Sequence, residues 1–513
     1  MAASHLSDIR VRRSGLITFA IRLGSTLTGL AFVVLVTSNL SQSDFGLWQL
    51  ISRVIGYVIF VANILNFWTI RYRARGATIG KTVMFGSAIF SLILSVIYIL
   101  LSFGVAESIS SQGEYVSNLY YFLISTPQVP LYIFSGVMES ILWGSTPERA
   151  SFGFGIFEIS KVLIGGIAVT ILHLSLTGAI LAVIGAQLVQ IVTIVAMAPR
   201  EYKDKISISI LSKMVKTGWL ALLNQLTPLV VNFDFLIVAI ITGSTIPLAL
   251  YGVAFTYGTI ITYSGWIAYG LYAGILGGVD PKKSANQVFE LQYLFMIPMV
   301  IGEIVLSYRL LHLFKAVYTV AVPILLVLAI ASAFSAMNQT FDNVITAIDT
   351  TDATENTDLS LYMKSKLFLI AKINIVLSIA YLASVSIISG IINSGPATVF
   401  GFQRYTFVGI LWAMAALGMW TIGVAVKLRF VRKITHLMIP KRTGAAFLLG
   451  AVGYTPVLYF LSESIGIHGG EVVQALYILL IGGIALAVYG GIIFAVSDSM
   501  RSLARYALTS LTK

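Results

Sequence analysis

The residues of this chain that could do chemistry lie inside long apolar segments. The run 217–242 contains Asn224, Asn232 and Asp234, and a carboxylate buried in a membrane costs about 3 kcal/mol or more. Carboxylate and amide oxygens suit Na⁺, and the carboxylate can also take a proton. We therefore expect these three residues to bind a coupling ion or proton. The alternative is a salt bridge to an arginine, or a helix cap near Pro228.

Three basic residues occupy similar positions in other apolar runs, namely Arg22, Arg53 and Lys161. At about 1.5 Å per residue, Arg22 lies roughly 12 Å from the inner edge of its run. Cations at such depth are expected to face a polar cavity, where they could bind the phosphate of a substrate. The alternative is that each pairs with a buried carboxylate. Glu158 lies three residues before Lys161 on the same helical face and could neutralise it. Glu158 is also a candidate ligand for the coupling ion.

The composition excludes several classes of protein. Of the 513 residues, 58% are hydrophobic and 11% are charged, whereas soluble domains carry about 25% charged residues. There is no cysteine, which excludes disulfides, thiolate metal sites and cysteine nucleophiles. The five histidines are scattered, and we expect no metal site and no catalytic residue. The net charge of +12 is spread over short segments, which argues against nucleic-acid binding. We expect no cofactor apart from coupling Na⁺ or H⁺.

Apolar runs of about 20 residues or more predict an all-α polytopic membrane protein. We predict about 14 transmembrane helices, arranged as two six-helix bundles plus two C-terminal helices. The predicted spans are 14–38, 45–70, 82–104, 119–141, 154–172, 177–198, 217–242, 251–276, 291–313, 319–348, 367–392, 403–426, 443–462 and 472–496.

The positions of Lys and Arg predict the orientation of these spans in the membrane. If the N-terminus is cytoplasmic, the inside segments hold most of the 33 basic residues, and the outside segments hold only Lys315. We therefore expect a multi-pass protein of the cell membrane with both termini in the cytoplasm. No loop is long enough to form a sizeable domain outside the membrane.

Short motifs recur at similar offsets in the two halves of the chain, which is the pattern that an internal duplication produces. The pairs are Phe45-Gly46 with Tyr251-Gly252, and Lys161 with Lys372. The predicted segments are a cytoplasmic N-terminus 1–13, a first six-helix bundle 14–198, a cytoplasmic linker 199–216, a second six-helix bundle 217–426, a basic cytoplasmic loop 427–442, two extra helices 443–496 and a cytoplasmic C-terminus 497–513.

Two motifs carry a resemblance to a known family. They are S-x-x-D-F-G-L-W, which begins at Ser41, and D-F-L-I-V-x-x-x-x-G-S, which begins at Asp234 and is followed by Tyr251-Gly252. With six plus six plus two spans, the chain resembles the polysaccharide-transporter (Wzx-like) branch of the multidrug/oligosaccharidyl-lipid/polysaccharide (MOP) flippase superfamily. The resemblance covers the whole chain and is strongest over 40–57 and 233–253. The Thr-rich linker 349–358 departs from the family pattern.

The resemblance implies a flippase and no enzyme activity. Members of this family move lipid-linked oligosaccharides, which are glycans on polyprenyl phosphate or diphosphate, from the cytoplasmic to the outer leaflet by alternating access. Asp234 matches the acidic position that the family usually has in its seventh span. The expected partners are the lipid-linked oligosaccharide, membrane lipids and glycan-assembly enzymes, and the expected state is a monomer.

Two other functions remain open from the sequence. One is a cation-coupled multidrug exporter of the same superfamily, although the cations inside the spans favour an anionic lipid. The other is a membrane glycosyltransferase or polysaccharide polymerase. The chain has neither a D-x-D motif nor a large outer loop, and these are features that such enzymes need.

Overall fold

A computed structural model describes residues 24–25, 28–29, 31–74, 76–110, 114–202, 204–266, 281–348, 363–435, 441–464, 471–498 and 501. Arg22 and the linker 349–358 lie outside the described residues. The backbone of Asn224 is described as helix, but its side chain is not. The described chain divides into two compact units, one that ends at Ala249 and one that begins at Leu250. We call them unit 1 and unit 2.

Unit 1 is built from helices. Their bounds are α1 31–39, α2 Gln42–Ile59, α3 Asn63–Ala74, α4 Gly80–Ile109, α5 Tyr115–Ile124, α6 Gln128–Trp143, α7 Pro147–Gly165, α8 Ser175–Met197, α9 Ile208–Lys216, α10 Gly218–Thr242 and the start of α11 Ile246–Thr262. A 3₁₀ turn, Phe60–Ala62, joins α2 to α3, and a π-helical turn, Gly166–Ile171, extends α7. Within the unit, α6 packs against α3, α4 and α8, while α10 packs against α2 and α3.

Unit 2 continues α11 and is also helical, apart from one small hairpin. Its other elements are α12 Pro281–Val305, α13 Ser307–Phe314, α14 Val322–Ala347, α15 Lys366–Asn393, β1 Thr398–Val399, β2 Phe402–Gln403, α16 Arg404–Thr435, α17 Lys441–Ser464 and α18 Glu471–Val496. The strands pair antiparallel, with Val399 opposite Phe402. Helix α16 packs along α14 and α15, and the C-terminal pair α17 and α18 packs against α12.

Eleven helices of the described chain are long and apolar enough to cross a membrane, and Leu226–Thr242 forms a shorter apolar helix. Their outer faces carry large apolar side chains, such as Leu92 and Leu448, which are 72% and 71% exposed. An exposed apolar face of this extent is the surface that a bilayer covers. The prediction of an all-α polytopic membrane fold is confirmed.

The fourth predicted span is interrupted. The chain turns at 125–127, between α5 and α6. Pro127 disfavours a helical conformation at the residue before it. Pro130 has no N–H, so a helix that continued through this region would lack one backbone hydrogen bond. Most of the first predicted span lies outside the described residues. The predicted spans 45–70 and 291–313 each correspond to two consecutive helices, and residues 267–276 of the span 251–276 lie outside the described residues. The other predicted spans coincide with described helices, with ends that differ by several residues.

The ends of α2 and α10 follow from local sequence. Ser41 is the N-cap of α2, and its hydroxyl oxygen accepts a hydrogen bond from the Asp44 N–H at 3.1 Å. The S-x-x-D part of the motif is therefore a helix cap. Helix α10 ends at Thr242, and the next residue, Gly243, has a φ of 59°, in the left-handed region that glycine adopts without strain.

The segment that was predicted as a cytoplasmic linker, 199–216, is anchored to unit 1. Glu201 pairs with Arg73 at 2.5 Å, and the Asp204 carboxylate accepts from the Lys81 N–H at the start of α4 at 2.8 Å. Burial, and then the charge of Glu201, raises the pKa of the Tyr202 phenol to about 12, so its hydroxyl stays neutral at physiological pH. Helix α10, which the sequence assigned to the second bundle, follows this segment and packs against α2 and α3. The predicted bundle limits themselves stay a prediction.

Candidate functional site

The site is centred on Arg53, which lies in the middle of α2. It is 11 residues beyond the first residue of the helix, which corresponds to about 17 Å along the axis. The guanidinium donates a hydrogen bond to the side-chain oxygen of Asn232 on α10. It also lies over the ring of Phe235, 4.5 Å from the ring centroid. These two contacts, with an amide oxygen and a ring face, orient the guanidinium.

Tyr57 lies one helical turn after Arg53 and contacts the same part of α10. Its hydroxyl donates to the backbone oxygen of Asn232, and its ring stacks on Phe233 with centroids 4.6 Å apart. Residues i and i+4 of a helix share one face. One face of α2 therefore fixes both the side chain and the backbone of Asn232.

Asp234 belongs to the same cluster. It is only 4% exposed, and its carboxylate accepts from the Phe235 N–H at 2.7 Å. Asp234 is the neighbour in sequence of Phe235, whose ring contacts the Arg53 guanidinium. We call Arg53, Tyr57, Asn232, Asp234 and Phe235 the Arg53 cluster.

The Arg53 cluster joins residues for which the sequence predicted separate roles. Arg53 was predicted to bind phosphate, and Asn232 and Asp234 were predicted to bind a coupling ion. Arg53 and Asn232 are 179 residues apart in the chain, so their contact could not be read from spacing. Both predicted roles stay predictions.

Lys161 and Glu158 form a second pair in unit 1. Their side chains meet at 2.9 Å on α7, which is the local pairing that their three-residue spacing predicted as the alternative. The Lys161 ammonium also lies 5.2 Å from the ring centroid of Phe32 and 5.0 Å from that of Phe157. Glu158 is 7% exposed. The pair is locally neutral, and the predicted roles of Lys161 in phosphate binding and of Glu158 in ion coupling stay predictions.

The start of α2 and the turn after α10 are in close contact. The hydroxyls of Ser43 and Thr245 lie 3.1 Å apart, and the Thr245 hydroxyl donates to the Ser43 backbone oxygen at 3.0 Å. A Cβ atom at Gly46 would lie 2.0 Å from the Thr245 backbone oxygen. Only glycine fits at that position, so the F-G part of the motif is explained by this close approach.

Unit 2 contains an ion pair that the sequence analysis missed. Lys427 on α16 is fully buried and pairs with Asp342 on α14 at 2.7 Å. Asn374 on α15 donates to the other oxygen of that carboxylate at 3.0 Å. The sequence analysis placed Lys427 in the predicted basic loop, because arginines follow it closely. Helix α16 instead continues to Thr435 and therefore includes Lys427. The sequence feature that could have revealed the pair is Asp342, because a carboxylate within an apolar run usually pairs with a basic side chain.

The chemistry available at the Arg53 cluster is recognition rather than bond breaking. A guanidinium offers a planar fork of donors that matches phosphate oxygens, and a buried carboxylate can bind a cation or a proton. The described residues contain no group of three His, Cys, Asp or Glu side chains that could hold a metal ion.

Comparisons with known proteins identify the fold. No protein-family model matches the chain, and no curated protein sequence matches it. Among solved structures, the chain is similar to the lipid II flippase MurJ in an inward closed conformation, with 16% identity, a TM-score of 0.63 and coverage of 94% of this chain and 99% of that one.

The chain is also similar to a multidrug resistance MATE family transporter of the MOP superfamily. Its inward-facing conformation matches with 16% identity and a TM-score of 0.57 over 82% of this chain and 98% of that one. A structure of a MATE family transporter in an outward-facing conformation matches with 16% identity and a TM-score of 0.50, over 83% of this chain and 95% of that one. The chain thus has the fold of MOP-type transporters. The resemblance to the Wzx-like branch within that superfamily stays a prediction.

Proposed function

We propose that this protein is a flippase that moves a lipid-linked oligosaccharide from the cytoplasmic to the outer leaflet by alternating access. The substrate class is a glycan on polyprenyl phosphate or diphosphate. The fold shared with a lipid II flippase and with multidrug transporters supports a transporter, and the substrate class rests on the Arg53 cluster. We further propose that both termini are cytoplasmic, on the distribution of Lys and Arg.

The observation that carries the proposal is the environment of Arg53. An arginine in the middle of a span is costly unless a partner or water is present. Asn232 and Phe235 fix the direction of its guanidinium, and the Arg53 side chain is half-buried rather than fully enclosed. The anionic group of a lipid-linked glycan is its phosphate, and a pre-oriented guanidinium binds phosphate through two parallel hydrogen bonds.

The contact between Gly46, Ser43 and Thr245 supports alternating access. Without a side chain at Gly46, the backbones of the two segments approach each other directly, and two hydrogen bonds join Ser43 to Thr245. A contact made of small side chains and few hydrogen bonds can open at modest cost. We assign it to the outer gate, which closes while the substrate enters from the cytoplasm.

Asp234 supports a second candidate function, a cation-coupled multidrug exporter. A buried carboxylate in a span can bind a cationic drug or the coupling ion, and the fold is shared with multidrug transporters. The exporter would need Asp234 as its main substrate group, whereas the flippase needs Arg53. The two functions therefore differ in which side chain of one cluster is essential.

The experiment is to measure the sidedness of lipid-linked oligosaccharides in cells depleted of the protein. The flippase predicts that finished glycan accumulates on the cytoplasmic leaflet and that glycan is lost from the surface. The wild-type chain, supplied again, should restore the surface glycan. Unchanged sidedness together with greater sensitivity to cationic drugs would contradict the flippase and support the exporter.

A further inference from the structure

A line of buried polar side chains crosses three helices of unit 1, away from the Arg53 cluster. Glu139 on α6 accepts a hydrogen bond from the Gln190 side chain on α8. Gln187, one turn earlier on α8 and hence on the same face, is 0% exposed. Both atoms of its amide group lack a hydrogen-bond partner among the described residues. A buried amide without a hydrogen-bond partner lowers the stability of the fold by about 1–3 kcal/mol. Its burial is therefore better explained if a ligand contacts it.

Helix α3 presents two more oxygens to the same region. The Asn66 side-chain oxygen and the Thr69 hydroxyl are buried without a partner in the described part of the protein. The Asn66 amide group lies against α6, since its nitrogen would be 3.2 Å from a Cβ atom at Gly136. Gly136 is one turn before Glu139, so Asn66 on α3 and Glu139 on α6 occupy neighbouring positions.

We propose that Glu139, Gln187, Asn66 and Thr69 form a binding site for Na⁺ within unit 1. The site would supply one carboxylate, two amide oxygens and one hydroxyl, which are the hard oxygen ligands that small cations prefer. A set with a single carboxylate fits a monovalent ion better than Mg²⁺ or Ca²⁺, whose sites usually contain more than one carboxylate. An ion there would contact three buried oxygens, those of Asn66, Thr69 and Gln187, that have no hydrogen-bond partner among the described residues.

The proposed Na⁺ site is separate from the residues that the sequence predicts to bind the coupling ion. It joins α3, α6 and α8 inside one unit, whereas Asn232 and Asp234 lie on α10. Because α2 continues through a short 3₁₀ turn into α3, ion binding at Asn66 and Thr69 acts on the helix that follows Arg53 and Tyr57. Only this coupling role rests on the proposed flippase function, and the ion site itself does not.

The test is direct binding of ²²Na⁺ to the full-length protein, purified in detergent, with choline replacing Na⁺ at constant ionic strength. Glu139→Gln should weaken binding by about tenfold or more, and Gln187→Leu by a comparable factor. Glu107→Gln is the matched control, because Glu107 is an exposed carboxylate of the same unit, and it should bind as the wild type does. Na⁺ should also raise the melting temperature of the wild type and of Glu107→Gln, since a ligand of the folded form stabilises it.

Each outcome decides the proposal. Loss of binding in both site variants, with their melting temperatures in choline unchanged, supports the site. The site is wrong if the wild type binds no Na⁺, if it responds only to pH, or if both variants bind as tightly as the control. A variant that fails to fold is replaced by Thr69→Val, which has the same shape and removes only one oxygen. Failure of the flippase function would appear as unchanged lipid sidedness with Na⁺ binding intact, so the two failures are distinct.

Discussion

The two units hold a basic side chain within a span by different contacts. In unit 2, the Lys427 ammonium meets the Asp342 carboxylate at 2.7 Å, and Asn374 completes the pair. In unit 1, the Arg53 guanidinium is held by the amide of Asn232 and the ring of Phe235. Removal of one partner from a buried ion pair leaves an uncompensated charge, whereas a half-buried guanidinium that an amide and a ring face orient can also contact a ligand. On the proposed function, the pair in unit 2 serves stability and the Arg53 cluster serves transport.

The largest expected effect concerns the unit 2 pair. Lys427→Met leaves the Asp342 carboxylate without its cation and should lower the free energy of unfolding by about 3–5 kcal/mol. Unfolding of the purified protein by a denaturing detergent measures this loss. If Lys427→Met were as stable as the wild type, the pair would not be structural and the contrast between the units would fail.

The matched double variant sharpens this prediction. Lys427→Met combined with Asp342→Asn removes both charges and should regain all but about 1 kcal/mol of the lost free energy of unfolding. It should also flip substrate at close to the wild-type rate. A stable double variant that has lost transport would assign the pair a role in the transport cycle instead.

The next largest effect is expected at the contact that we assign to the outer gate. Gly46→Ala places a Cβ atom where the Thr245 backbone oxygen stands, and this overpacking should cost about 1–3 kcal/mol of unfolding free energy. Gly56→Ala is the control in the same helix, because a Cβ atom at Gly56 meets nothing within 4 Å. It should be neutral or stabilising by up to about 1 kcal/mol. Equal effects of the two substitutions would show that the close approach is not needed.

The smallest effect is expected at Tyr57. Tyr57→Phe removes the hydrogen bond to the Asn232 backbone but keeps the ring on Phe233, so it should cost about 1 kcal/mol of stability. Transport should fall by only a few-fold, because Arg53 keeps its contact with the Asn232 side chain. Tyr120→Phe, at an exposed tyrosine, is the comparison and should change neither quantity. Complete loss of transport in Tyr57→Phe would show that the Tyr57 hydroxyl, and not Arg53 alone, is essential for transport.

The sequence predicted what depends on local spacing. Apolar run length predicted the helical membrane fold, and the three-residue spacing predicted the pair between Glu158 and Lys161. The cap formed by Ser41 is also a local pattern, and it accounts for the S-x-x-D part of the motif that carries the family resemblance. The interruption between α5 and α6 follows from Pro127 and Pro130. Hydropathy does not detect it, because the apolar run 119–141 is continuous in sequence.

What the sequence did not predict depends on contacts between distant helices. Nothing in spacing indicates that Arg53 meets Asn232, or that Lys427 turns inward to Asp342 while Arg429, two residues later, belongs to the basic run. Gln187 gave no signal either, because a glutamine in an apolar run is unremarkable until its amide is found buried without a partner. In each case the partner of the side chain is determined by how distant helices pack, which local spacing does not encode.

The central claim is tested most directly by flipping in proteoliposomes that contain a lipid-linked oligosaccharide, with leaflet sidedness measured by access of an added glycosidase. Arg53→Gln should flip at least about tenfold more slowly than the wild type, because a lost charge-assisted contact to phosphate is worth about 1.5–3 kcal/mol. Arg71→Gln is the control, since Arg71 lies on the ring of Phe67 in the last turn of α3, and it should flip normally. Normal flipping by well-folded Arg53→Gln would contradict the account.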